Sequence, residues 1–149
     1  MVKYNKDDNL YFTCCLLEYI ARKTLNETEV IVNYLGEEGI SWIHEYADVL
    51  HCENIDAVTH ELVERYNIQD GDYHCDKYCE EYDFELTSVW AIGAVFARLI
   101  EDIGNDTTKT LIEVYNSYIG KCINNYLYGF YTSSPQIIYG SYKAGEMLD

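Results

Sequence analysis

Proline occurs once and glycine nine times in 149 residues. That is too little punctuation for the many tight turns of a β fold, so helices are favoured. Basic residues are also scarce, ten Lys and Arg against 26 Asp and Glu, for a formal net charge of −16. Between Thr24 and Glu64 there are ten acids and no Lys or Arg, and between Asp70 and Glu85 seven acids face Lys77 alone. Such a surface repels phosphate backbones, which argues against nucleic-acid binding and makes a basic protein or a cation the natural partner. The same acids also serve simply to keep a small protein in solution. The uncharged apolar run at residues 86–97 is short of the ~18 residues needed to cross a bilayer, so no membrane span is expected. The start, MVKYNKDDN, lacks the apolar core of a secretory signal. A cytoplasmic chain is expected, with Cys14, Cys15, Cys52, Cys75, Cys79 and Cys122 as reduced thiols. There is no Walker loop, dinucleotide glycine fingerprint or Gly-x-Ser-x-Gly elbow.

What is present predicts a compact all-α domain, a bundle of five to seven helices around a buried central helix at about 83–104. That stretch, DFELTSVWAIGAVFARLIEDIG, mixes small residues (Ala91, Gly93, Ala94, Ala97) with large ones (Trp90, Ile92, Val95, Phe96) and has no charge between Glu85 and Arg98. Asp83 is the expected cap, Gly104 the stop, Trp90 and Phe96 are expected to pack inside, and Gly93 is expected to admit a neighbouring helix. Before it, residues 10–68 form four helices. The first is opened by Asp8 or Asn9 and buries Leu10, Cys14, Leu17 and Ala21. The second is opened by an Asn26/Glu29 capping box and stopped by Gly36. The third runs from about Glu38 to His51, and the fourth is capped by Asn54. Residues 69–82 read as an exposed acidic connector, with one or two helical turns at most. After the central helix, 107–126 reads as one helix whose stripe is Leu111, Tyr115, Tyr118, Cys122 and Tyr126. In the tail, Ser134 and Pro135 favour a last helix, while LYGFY and IIYGSY leave a hairpin open; the helix is preferred.

The Phe12 and Cys15 helix entry, the break GEEGI at 36–40 and the ending DVLH at 48–51 resemble an uncharacterised bacterial domain family of unknown function over residues 10–68. The resemblance brings no catalytic residues with it. Genes of that family lie beside genes for ADP-ribosyltransferase-like proteins, which implies a regulatory or antitoxin-like partner role.

Two constellations have the residue types of a metal site. His44, Asp48 and His51 leave one helix face at i, i+4 and i+7, and two imidazoles with a carboxylate suit zinc or another divalent metal. The alternative is that the histidines border the core and bond to a neighbouring helix. His74, Cys75 and Cys79 could share zinc if the connector folds back, although no Cys-x-x-Cys knuckle is present. A reactive thiolate would need a nearby cation, and the acids around Cys75 and Cys79 oppose one. Seven of the sixteen tyrosines follow Asn105. Tyr126, Tyr128, Tyr131, Tyr139 and Tyr142 crowd the tail and suit either the core margin or a protein contact.

The expectation is therefore a non-catalytic interaction module whose partner is a basic or toxin-like protein or its own copy, as a homodimer. A metal-binding protein or metal-dependent enzyme is the alternative, and mimicry of DNA by the acidic surface a weaker third.

Overall fold

In the computed structural model, which describes residues 7–82, 85–126 and 129–148, the fold is all-α as expected, with no strand among the described residues. Its elements are α1 (Asp8–Thr24), α2 (Thr28–Leu50), α3 (Ile55–Arg65), α4 (Lys77–Tyr82), α5 (Val89–Ile103), α6 (Thr107–Asn116), α7 (Tyr118–Ile123), a 3₁₀ turn (Phe130–Thr132) and α8 (Pro135–Ala144). Eight α-helices among the described residues exceed the five to seven expected. No described helix is long and apolar enough to cross a membrane.

Two helices carry most of the packing. α1, with ten of its seventeen residues buried, packs on α2, α3 and α5, and α5, within the stretch expected to be central, packs on α1, α6, α7 and α8. Asp7 caps it, one residue before the expected position, its carboxylate accepting from the Leu10 N–H at 2.8 Å. Cys14 and Cys15 are buried, as small core residues.

Asn26 does not begin a capping box. Glu27 holds the cap position of α2 without a side-chain hydrogen bond, because the Asn26 amide is engaged elsewhere, donating to Thr24 Oγ1 at 2.9 Å and to the Gln69 carbonyl at 3.0 Å. The acidic connector is thereby laid across the α1–α2 turn, where the Gly71 N–H donates to Thr24 (2.8 Å) and the Tyr73 N–H to Leu25 (2.9 Å). Gly36 breaks α2 as expected, with φ of 64° inside an otherwise continuous helix. Asn54 caps α3 through the N–H groups of Asp56 and Ala57.

Asp83 lies outside the described residues, and α5 opens later than expected: Ser88 caps it, accepting from Ala91 N–H at 3.1 Å. Its buried face is Val89, Ile92, Gly93, Phe96, Ala97, Leu99 and Ile100. Trp90, expected inside, points away from that face beside the Tyr11 ring and is 46% exposed. Phe96 is fully enclosed and stacks on Tyr115 of α6, centroids 4.0 Å apart at 14°. Gly93 meets α1 as expected. A methyl group there would overlap the Cys15 sulfur and lie 2.9 Å from its backbone nitrogen. Gly93→Ala should accordingly cost about 1–3 kcal/mol by forcing the two helices apart, seen as a melting temperature several degrees lower; an unchanged value would mean that α1 and α5 slide freely.

The helix expected over 107–126 is broken at Ser117. Its hydroxyl donates to the Val114 carbonyl at 2.7 Å and accepts from the Gly120 N–H at 3.0 Å, ending α6 and starting α7. Tyr118 is turned out of the expected stripe and is exposed. In the tail the helix prevails over the hairpin: Ser134 caps α8 and Pro135 begins it.

Candidate functional site

Between α1, the start of α2, the connector and α6–α7 lies a cleft of about 300 Å³. Two residues one helical turn apart on α1, Glu18 and Arg22, form its wall. Tyr115 and Asn124 face them from α6 and from the end of α7, and Tyr73, Cys75 and Tyr126 are at the margin.

Glu18 is 1% exposed. Its Oε1 accepts from the Thr28 hydroxyl at 2.9 Å, while Oε2 makes no hydrogen bond among the described residues. Burial pushes this carboxyl up to about 7; the Thr28 hydrogen bond, the Arg22 charge and the Tyr115 and Asn124 side chains pull the other way. Arg22 donates from Nη2 to the Tyr126 hydroxyl at 3.2 Å, its guanidinium lying 5.4 Å from the centre of that ring. Its Nε, the Tyr115 hydroxyl and Asn124 Oδ1 are buried without a hydrogen bond among the described residues. Of the five such side-chain atoms described, these three and Glu18 Oε2 all belong to residues lining this one cleft; Thr59 Oγ1 is the exception. Buried polar atoms are nearly always satisfied, so four around one cavity mark it as the candidate site.

At the mouth, Lys121 Nζ bridges from α7 to Glu29 of α2 at 3.0 Å. The acids Glu27 and Glu29 and the bases Arg22 and Lys121 leave the rim mixed in sign. Chemically the arrangement offers one buried acid that gains or loses a proton near neutrality, a fixed guanidinium edge, a phenol and an amide. Burial raises the Cys75 thiol, with Arg22 pulling down less strongly, which disfavours a thiolate there.

Of the residues singled out from sequence, Cys75 and Tyr126 fall in the cleft. Glu18 and Arg22 were missed, yet a signal existed: from Leu10 to Ala21 Glu18 is the sole charged residue in an otherwise uncharged helical run, and Arg22 follows four residues later.

The other candidates separate. His44 Nε2 lies 2.9 Å from Asp7 Oδ2, and the carbonyl of His44 accepts from Asn9, so this histidine ties α2 to the start of α1. His51 sits edge-on to Phe12 and contacts the neighbouring Cys52, while Asp48 is exposed. His74 is exposed and Cys79 buried. Among the described residues no three His, Cys, Asp or Glu side chains are grouped as metal ligands. Tyr126, Tyr131, Tyr139 and Tyr142 are partly buried against the core, with Tyr131 edge-on to Tyr126 and bonded to Thr87. Tyr128 lies outside the described residues. Among the described residues the exposed aromatics are Tyr34, Tyr46, Trp90 and Tyr118.

No protein-family model matches this chain, and neither the curated proteins nor the solved structures searched give a match.

Proposed function

We propose that this protein is a non-catalytic binding module whose cleft takes a small polar molecule against Glu18, Arg22, Tyr115 and Asn124. The supporting observation is the set of four unpartnered buried polar atoms around a single cleft, because leaving each unsatisfied costs about 1–3 kcal/mol that a bound ligand would recover. A metabolite panel of amino acids, amines, carboxylic acids, nucleosides and nucleobases tests this by thermal shift. At least one compound should raise the melting temperature saturably, by roughly 2.7 kcal/mol of stabilisation at a hundredfold excess over Kd. Cys75→Trp, which fills the margin, should abolish the response without unfolding the protein. No response to any compound, or a response unaffected by Cys75→Trp, would count against the cleft.

A second reading, the interaction module, is favoured by the outer face of α2. Tyr46 and Val49 are exposed there next to Glu45 and Asp48, a pairing of apolar area with negative charge that suits a basic or toxin-like protein partner. The contact would lie on α2, since the tail tyrosines are packed on the core. A complex with a basic partner that weakens with salt and is lost in Tyr46→Ala would support it; a complex insensitive to both would place the contact elsewhere.

A further inference from the structure

The unpartnered atoms are of two kinds. Glu18 Oε2 and Asn124 Oδ1 are acceptors, Arg22 Nε–H is a donor, and the Tyr115 hydroxyl can serve either. Both charged residues are fixed from behind. Thr28 holds the Glu18 carboxyl by its other oxygen, and Tyr126 holds Arg22 by Nη2, so the unpartnered atoms are the ones left for a ligand.

The pattern discriminates among ligand classes. A simple amine would satisfy Glu18 and Asn124 but bring its charge against Arg22. A simple carboxylate would satisfy Arg22 and oppose Glu18. An apolar molecule would strand all four atoms. A zwitterion with its ammonium and carboxylate close together supplies both kinds of partner, and a cleft of about 300 Å³ sits at the small end of ligand sites, suited to a molecule of that size. From this, and resting on the ligand reading above, we infer that the cleft binds a free amino acid, with the ammonium on Glu18, Asn124 and Tyr115, the carboxylate on Arg22, and the side chain directed to the margin formed by Tyr73, Cys75 and Tyr126.

Binding in this pose favours the ionised carboxyl of Glu18. The groups facing it from the packed elements are Arg22, Cys14 and Cys15 on α1, Tyr115 on α6 and Tyr126 after α7, with Glu27, Glu29 and Lys121 at the rim. Near neutral pH a proton should therefore leave on binding.

The test is calorimetric titration of the full chain with the free amino acids, the amines made by removing the carboxylate from those that bind, and the corresponding N-acetyl acids. At least one amino acid should bind, its decarboxylated and acetylated forms at least tenfold more weakly, with proton release measured at pH 7. Arg22→Gln should remove the preference over the amine, and Glu18→Gln the preference over the N-acetyl acid together with the proton release. Equal binding of the amine or the acetylated acid overturns the zwitterion while leaving the cleft a ligand site, as does binding by a nucleoside alone. Silence from amino acids and from the whole metabolite panel overturns both readings.

Discussion

Replacing Phe96 with alanine is expected to cost about 3–5 kcal/mol, the largest single effect of a core substitution here. The ring is fully enclosed on α5 and lies flat on Tyr115, which is itself 1% exposed, so no solvent can fill the vacancy cheaply. Folded domains hold only about 5–15 kcal/mol in total. The loss therefore removes a fifth or more of the margin and should lower the melting temperature by roughly 6–20 °C. Phe96→Leu, which keeps most of the volume, should cost markedly less. Because Tyr115 also forms the floor of the cleft, Phe96→Ala should in addition weaken ligand binding in the same preparation. A loss below about 1 kcal/mol in urea denaturation would mean that the stack carries little of the fold.

Local signals in the sequence foretold the ends of helices well. Asn54, Gly104 and the Ser134–Pro135 pair act within one turn of themselves, through hydrogen bonds or φ preferences that need no distant partner. Signals that compete with a distant partner failed. Asn26 and Glu29 have capping-box spacing, but the amide of Asn26 is spent on Gln69, forty-three residues away. Leu111 to Tyr126 keeps its stripe across Ser117, and only the hydroxyl bridging Val114 and Gly120 ends the helix there. Trp90 has the composition of a core residue, but the start of α5 is set by Ser88, and the register that buries Ile92, Gly93 and Phe96 turns the indole outward.

The cleft was hard to foresee for a related reason. Glutamate is a good helix former, so its place in a helix does not by itself distinguish a solvated Glu18 from an enclosed one. Enclosure comes from Thr28, Tyr115 and Asn124, whose separations of up to about a hundred residues leave no periodic trace. The uncharged helix around it was the one legible hint, since a lone acid on a helix buried on several sides must either be neutral or find partners.

That condition gives the second large expectation, a stability that declines between mildly acidic and neutral pH. The Glu18 carboxyl is raised from 4.5 to about 7 by burial. Within that interval the folded chain keeps a proton that the unfolded chain has released, so unfolding gives up a proton and stability falls as pH rises. Below the lower value both states are protonated and there is no penalty; above the upper value both are ionised and the penalty is complete, about 3 kcal/mol. Cys14, Cys15, Tyr115 and Tyr126 around the carboxyl are all pushed upward, Cys15 to about 12, so none of them titrates in this window. Glu18→Gln retains the oxygen that accepts from Thr28 and carries no charge to desolvate. The variant should match the parent near pH 4 and exceed it by up to about 3 kcal/mol at pH 8. Both chains share every other acid, so the difference between their denaturation free energies isolates this group. A difference that stays constant from pH 4 to 8 would mean that Glu18 is ionised and solvated throughout, and the cleft would then lack the buried acid on which its chemistry depends.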